Sequence, residues 1–363
     1  MVCSCSMRVT HLISMLALTA AASGCIDELG HEKSEVGELV RDCVVPPWAG
    51  VEKLTAPVSL EYPRGSLWIW DRLELTDGRS STNLAAFVTS ADELCRRGPN
   101  LLLDSNGNPA SLLALSESEL LENAARNDGR SLELTATGGF VRDGQGYLFY
   151  EHTLRGPGAF DAVNLGSGLC VRKADEPSCE RIVVDGSTLL WPGDTRALNS
   201  GGLVLSDRAV VVGCKRVADF LRVCTLSGAP LDRLSEPSAY QFMNYFDGWV
   251  DDPLRASVIT DELGQVTVSA TEVGFFATLF DLFDARVYVR LSDDLLSKPF
   301  EHRVELFATE LPASGFSRGG REHAGLRREQ RTLHISYETD DPNAPGLHLA
   351  SYRFLGKLGG LYQ

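Results

Sequence analysis

Asp71, Glu151, Asp161, Glu322 and His323 have the type and setting for proton chemistry. Asp71 ends the apolar run Leu67-Trp-Ile-Trp70 and has Arg72 beside it. Glu151 follows Tyr147-Leu-Phe-Tyr150 in the same way and stands next to His152. Each of the two reads as a base or ligand-binding carboxylate, or as a strand-end carboxylate paired with its basic neighbour. Glu322-His323 puts an acid beside an imidazole, where the histidine serves a ligand or simply holds structure. Such carboxyls work in pairs, one giving a proton while the other takes one. The cysteines point to a different chemistry. Cys43, Cys95, Cys170, Cys179, Cys214 and Cys224 form an even set, with no C-x-x-C pair and no histidine at ligand spacing, so disulfides are expected and a metal site is not. The short connections favour Cys170–Cys179 and Cys214–Cys224, which leaves Cys43–Cys95. Asp104-Ser-Asn106-Gly-Asn108 begins like a calcium loop, but Leu115 stands where the twelfth-position glutamate is required. An Asn-Gly turn is expected there instead. Gly166-Ser-Gly168 lacks the lysine of a phosphate loop, and no nucleophile elbow occurs, so no cofactor is expected.

These residues need a scaffold, and the chain repeats one. A strand, a polar or glycine turn and a second, more continuously apolar strand recur five times. The pairs are Val58–Glu61 with Leu67–Trp70, Gly139–Val141 with Tyr147–Tyr150, Gly202–Leu205 with Ala209–Val212, Ala256–Ile259 with Val266–Ser269, and Ala324–Leu326 with Thr332–Tyr337. Turns are expected at 63–65, 143–146, 206–208, 261–264 and 327–329. A third strand follows each pair, at Leu84–Val88, Gly168–Arg172, Leu221–Thr225, Val287–Leu291 and His348–Phe354. Second strands such as Leu67-Trp-Ile-Trp70 and Ala209-Val-Val-Val212 do not alternate with polar residues, so both of their faces must be covered. Middle strands of propeller blades are covered in that way. An all-β, five-bladed β-propeller therefore fits better than a β-sandwich built from the same hairpins. Between the first and second units, Leu115 to Gly129 reads as a helix, with Ser116 and Glu119 as its capping box.

A propeller with this order of hairpins resembles the arabinanase-like glycoside hydrolases and the related family that includes endo-D-arabinanases. The resemblance covers most of the chain. It is carried by Ser66-Leu-Trp-Ile-Trp-Asp71, by Gly319-Gly-Arg-Glu-His-Ala-Gly-Leu326, by Thr332–Tyr337 with Leu347–Phe354, and by the loop-like Leu234–Tyr240. It implies a carbohydrate ligand, such as an arabinan-like polysaccharide. It also implies Asp71, Glu151 and Glu322 as catalytic candidates, with Asp161 and His323 binding substrate. Cleavage by that route needs two carboxyls roughly 5 to 9.5 Å apart. Such hydrolases keep theirs where the innermost strands start. Here those starts read Thr55-Ala-Pro57, Thr135-Ala-Thr137 and Asn199-Ser200, and only the fifth offers Glu322-His323. Binding without hydrolysis stays open, as does a surface propeller that serves as a protein-interaction platform.

The N-terminus supplies an address. Arg8, the apolar run Leu12 to Ala22 and the small residues Ala22-Ser23-Gly24 lead to Cys25, the pattern of a secretory signal. A cysteine at that place resembles the lipobox of bacterial lipoproteins, although Ala22 stands where leucine is usual; an ordinary secretory signal is the other reading. The lipobox implies removal of residues 1–24 and acylation of Cys25. Residues 25–47 then form an acidic tether and 48–357 the propeller. Met7 makes a more conventional start than Met1. Ile26 in place of Asp after Cys25 implies the outer membrane. The formal charge of the 363-residue chain is −15, and removing the signal takes away Arg8 and no acid. An acidic chain of this kind is not built for nucleic acid. The expected protein is a monomeric envelope lipoprotein whose partners are a membrane and a polysaccharide.

Overall fold

The computed structural model describes residues 37–355, except 49, 79, 158–160, 174–175, 194–200, 217–220, 272–273, 282–284, 299, 301, 310–317, 328–330 and 340–344. Cys25 and the segment expected to be a signal lie outside the described residues. The chain builds five antiparallel blades in sequence order around one axis. Blade 1 is Val58–Tyr62, Gly65–Trp70 and Leu84–Val88; blade 2 is Ser131–Arg142, Gln145–Arg155, Ala162–Arg172 and Glu180–Arg181. Blade 3 is Gly202–Leu205, Arg208–Arg216, Leu221–Pro230 and the added hairpin Gln241–Asn244/Gly248–Val250. Blade 4 is Val258–Thr271, Gly274–Asp281, Arg286–Ser292 and His302–Ala308. Blade 5 is Arg318–Glu322, Thr332–Thr339 and Gly346–Phe354, and Gly37–Val44 from the other end of the chain completes it.

The second strands show why this ring closes. In blade 1, Leu67 and Ile69 pack with Leu134, Ala136 and Leu148 of blade 2, while Trp68 and Trp70 pack with Leu347 and Leu349 of blade 5. In blade 3, Ala209 and Val211 join Phe149 and Leu169 of blade 2, and Val210 and Val212 join Ala277 and Leu279 of blade 4. Phe276 and Phe280 of blade 4 then meet Leu333, Ile335 and Tyr337 of blade 5. Five apolar clusters thus fill the five seams. Alternation along each strand sends successive side chains to opposite neighbours, so a run without polar breaks is what a middle strand requires. Near the axis the first strands come very close. A Cβ on Gly138 of blade 2 would lie 2.6 Å from the Cα of Gly201 at the start of blade 3.

The seam between blades 5 and 1 differs from the rest. Along Thr332–Thr339 the residues between the apolar ones are His334, Ser336 and Glu338, all buried. Glu338 forms an ion pair with Lys53 at 3.3 Å. His334 Nδ1 lies 3.0 Å from Ser351 Oγ. The edge strand Gly37–Val44 runs antiparallel to Gly346–Phe354, from Gly37 opposite Phe354 to Val44 opposite His348. On the opposite face of blade 5, turned toward blade 4, Asp42 receives the Tyr337 hydroxyl at 2.5 Å and lies 3.1 Å from His348 Nδ1. Burial alone would raise the Asp42 carboxyl, but its hydrogen bonds with His348 and Tyr337 outweigh that and hold it below the usual range. Cys43–Cys95 ties the same strand to the helix Ala91–Arg97 that follows blade 1, and Arg41 forms an ion pair with Asp92 there.

All three expected disulfides are present. The helix Glu117–Ala125 has both halves of the Ser116–Glu119 capping box. Arg181 pins that helix to blade 2 through Glu119 at 2.6 Å. Burial would raise the Glu119 carboxyl, but its bonds with Arg181 and Ser116 bring it down to about 2. At Asp104 the side chain accepts the Asn106 and Asn108 amides, which makes a turn.

Three expectations need correction. Residues 37–44 are strand rather than tether, because the last blade leaves an unpaired edge that they fill. The fourth hairpin does not turn at 261–264. Val258–Thr271 runs straight through, paired first with Leu221–Thr225 and then with Gly274–Asp281, so the backbone polar groups are satisfied without a turn. The first strand of blade 5 is Arg318–Glu322. Ala324–Leu326 is a 3₁₀ turn, because the chain leaves the sheet after Glu322.

Candidate functional site

First strands from all five blades enclose a cavity of about 280 Å³ on the axis. Its wall includes Ser59 and Glu61 of blade 1, Thr137 to Val141 of blade 2, and Gly201 to Val204 of blade 3. Thr267 to Ala270 of blade 4, with Arg321, Glu322 and Ala324 of blade 5, complete it. In blades 2 and 4 these residues belong to the later part of long first strands, so the cavity lies toward the hairpin end of the axis. The volume is near the low end of ligand pockets, enough for one small ring.

Two carboxyls from neighbouring blades face this space, and their surroundings differ. Glu322 is 6 % exposed. One of its oxygens, Oε1, receives Arg327 Nε at 2.7 Å. The same guanidinium gives its other hydrogens to Ala270 O at 2.9 Å and Ser269 Oγ at 2.7 Å, across the seam in blade 4. Oε2 of Glu322 is buried with no partner among the described residues. A buried carboxylate oxygen left bare is costly, and a donor brought in from the cavity would remove that cost. Glu61 has no ion-pair partner among the described residues. Burial is the largest influence on it, the negative charge of Glu322 adds to that, and the carboxyl is pushed up to about 7. Ser59, Ser66 and the Gly325 amide act against the rise without cancelling it. At neutral pH the cavity therefore presents one carboxyl that can hold a proton and one that is ion-paired.

His323 lies behind this pair. It has no exposure and is not part of the cavity wall. It stacks on Trp68 with ring centres 4.1 Å apart. Its ring nitrogens lie 2.9 Å from Ser59 Oγ and 2.8 Å from Ser336 Oγ. Burial first, then the positive charge of Arg321, keep it neutral far below the usual histidine range.

The structure brings Glu322 and His323 to the axis and leaves the other candidates elsewhere. Asp71 lies just past the second strand of blade 1, with the Thr55 hydroxyl 3.3 Å away. Glu151 sits on the second strand of blade 2, opposite Thr135 and Ser167, and accepts from Asn164 at 3.3 Å. Asp161 stands between the second and third strands of blade 2, in an ion pair with Arg130 at 3.0 Å. None of the three lines the cavity. His323 touches no cavity space, so direct substrate contact is corrected to a place behind the wall. Glu61 was passed over in the sequence. It stands one residue before the end of its strand and an ordinary Pro63-Arg64 turn, and its one signal is an acid two positions after Ser59 in a first strand that is otherwise apolar. No group of His, Cys, Asp and Glu among the described residues is arranged to hold a metal ion.

No family model matches this sequence, and no curated protein does. Solved structures with a similar course of chain include the GH43_1 enzyme from Xanthomonas citri, at 11% identity over 88% of this chain and 91% of that one, with a TM-score of 0.47. The GH43 BlXynB protein from Bacillus licheniformis matches at 12% identity over 86% of this chain and 54% of that one, with a TM-score of 0.49. A family 117 glycoside hydrolase produced by the marine bacterium Zobellia galactanivorans matches at 12% identity over 89% and 91%, with a TM-score of 0.47.

Proposed function

We propose that the axial cavity binds a carbohydrate unit and that Glu61 and Glu322 act on it as proton donor and carboxylate base. The observation that carries this reading is the pair itself: two carboxyls on one small cavity, one pushed up to about 7 and the other ion-paired with an oxygen left bare. A sugar ring offers hydroxyl donors for Glu322 Oε2 and a glycosidic oxygen as acceptor for the Glu61 proton. For hydrolysis, a water attacks the anomeric carbon and gives its proton to Glu322, while the leaving oxygen takes the proton of Glu61. Arabinan and related polysaccharides are the first substrates to test, measuring release of reducing ends by wild type and Glu61→Gln. Release that Glu61→Gln abolishes supports the reading. Binding without release by wild type removes the hydrolytic step, and neither binding nor release removes the carbohydrate. The same proposal places the protein in the cell envelope, acylated on Cys25 and held at the outer membrane; metabolic labelling with a fatty acid, compared with Cys25→Ala, tests that part.

A second reading has one observation behind it. Phe246 and Leu254, beside the added hairpin of blade 3, are 95 % and 92 % exposed. Apolar side chains so placed suit a protein-interaction platform. Unchanged partner recovery from envelope extracts by Phe246→Ser/Leu254→Ser would remove it.

A further inference from the structure

A chain of hydrogen bonds runs from Glu61 and Ser59 in the cavity wall back to the buried His323 and Ser336. Ser59 Oγ donates to Glu61 Oε1 at 2.5 Å. The same Oγ lies 2.9 Å from His323 Nδ1, and His323 Nε2 lies 2.8 Å from Ser336 Oγ. A serine hydroxyl has one hydrogen. If it goes to Glu61, the imidazole must supply the hydrogen of the Ser59–His323 bond. Nδ1 then carries the proton, Nε2 is bare, and Ser336 donates to it. The other carboxyl oxygen, Oε2, accepts the Gly325 amide. Glu61 is thus held at both oxygens, on one side by backbone and on the other through Ser59.

We infer that His323 is a positioning residue for Glu61: fixed as the Nδ1–H tautomer between Ser59 and Ser336, it turns the Ser59 hydroxyl onto Glu61 Oε1. The role rests on the reading of Glu61 as the proton donor of the cavity. Three surroundings keep the ring from doing anything else. The Trp68 face fixes its plane. Its complete burial, with the charge of Arg321 close by, keeps it from becoming an imidazolium that would donate at both nitrogens. Glu322, the acid next to it in the chain, is matched by Arg327 and does not draw the ring's proton. The hydroxyl that the imidazole orients is one of the groups that lower the Glu61 carboxyl against burial and Glu322. His323 thereby sets how tightly Glu61 holds its proton without meeting the ligand.

The test is nitrogen-15 NMR on histidine-labelled protein, with His323 identified through its contact with the Trp68 ring, together with carbon-13 titration of the Glu61 carboxyl. The expected result is a protonated Nδ1 and a bare Nε2 on His323 at pH 8. In Ser59→Ala the Glu61 titration should move upward by about one pH unit, the scale of one hydrogen bond lost from the charged form. Any pH limit on ligand binding set by Glu61 should move with it. A protonated Nε2 on His323 overturns the inference. So does a Ser59→Ala titration that stays in place, even if that variant is less stable, because a merely structural serine would lower stability and leave the carboxyl where it was. Both readouts are made on unliganded protein. Failure to bind sugar would therefore remove the proposed ligand and leave the tautomer to be judged separately.

Discussion

Removing the Cys43–Cys95 bond as Cys43→Ser/Cys95→Ser should destabilise the protein by about 4 kcal/mol. The bond closes a loop of 52 residues in sequence. The chain-entropy relation gives about 4 kcal/mol at 25 °C for a loop of that length. Both cysteines are only partly buried, so serine leaves little packing behind to confuse the figure. At ~2.1 cal/mol/K of unfolding entropy per residue, a chain of this size should lose roughly 6 °C in melting temperature. The effect should also have an address. The bond holds Gly37–Val44, the strand that closes the ring, onto the helix beside blade 1. Hydrogen exchange by mass spectrometry should therefore show Gly37–Val44 and Gly346–Phe354 losing protection before any strand of blades 2 to 4. Urea unfolding followed by tryptophan fluorescence gives the free energy. A loss below about 1 kcal/mol, or a loss of protection spread evenly over all five blades, would refute the view that this bond guards the closing seam.

Further outcomes follow from the charged groups. Glu61 holds its proton up to about 7 in the fold, against an ordinary 4.5, so the folded state binds more protons between those values. Its share of stability is then full below 4.5 and lost as pH rises toward 7, by up to about 3 kcal/mol. Wild type should weaken relative to Glu61→Gln between pH 5 and pH 8 in paired urea titrations, and parallel curves would contradict the shift. Glu119 runs the other way: held at about 2, it contributes above its ordinary 4.5 and loses that contribution as pH falls toward 2. Glu119→Gln should cost about 2 kcal/mol at pH 7, because Arg181 is left nearly buried without its partner, and the gap from wild type should close in acid. Asp42→Asn should cost about 1 kcal/mol at neutral pH, since Tyr337 and His348 lose a charged acceptor. Asp42 is lowered from 3.8, so this difference should persist down to pH 4 and shrink only below it.

How far the sequence could be read depended on whether the signal was local. The second strands were legible because a middle strand must be apolar on both faces, and Leu67-Trp-Ile-Trp70 shows that without reference to any other segment. The disulfides were legible for a similar reason: two short connections left a single remaining pair. The fourth hairpin misled because Asp261-Glu-Leu-Gly264 has turn composition, while pairing with Leu221–Thr225, some forty positions earlier, keeps it extended. Gly37–Val44 misled because its residues are mostly exposed and look like linker; what makes them a strand is an edge at the far end of the chain. The candidate site failed on the same ground. Asp71 and Glu151 follow apolar runs and so attract notice, but a middle strand's end does not face the axis. Glu61 is inconspicuous in sequence, and burial in the assembled ring, with Glu322 of another blade nearby, changes its chemistry.

That proximity ties the site to the way the ring is closed. Ser59 and Glu61 come from blade 1, whereas Glu322, His323, Gly325 and Ser336 come from blade 5. The two blades meet only when the ends of the chain meet, since blade 5 takes its edge strand from residues 37–44. All five seams are filled by apolar contact, and the one between blades 5 and 1 also holds buried polar groups whose hydrogen bonds are directional and expensive to leave unmade. A cluster such as His323, Ser59, Ser336 and Glu61 would be a poor choice for a seam that had only to be stable. Its presence where the ring closes makes sense if the register of blade 5 against blade 1 must be held to within a hydrogen bond's length. The edge strand completes blade 5 and the Cys43–Cys95 bond ties it to the helix beside blade 1, and together they supply that precision.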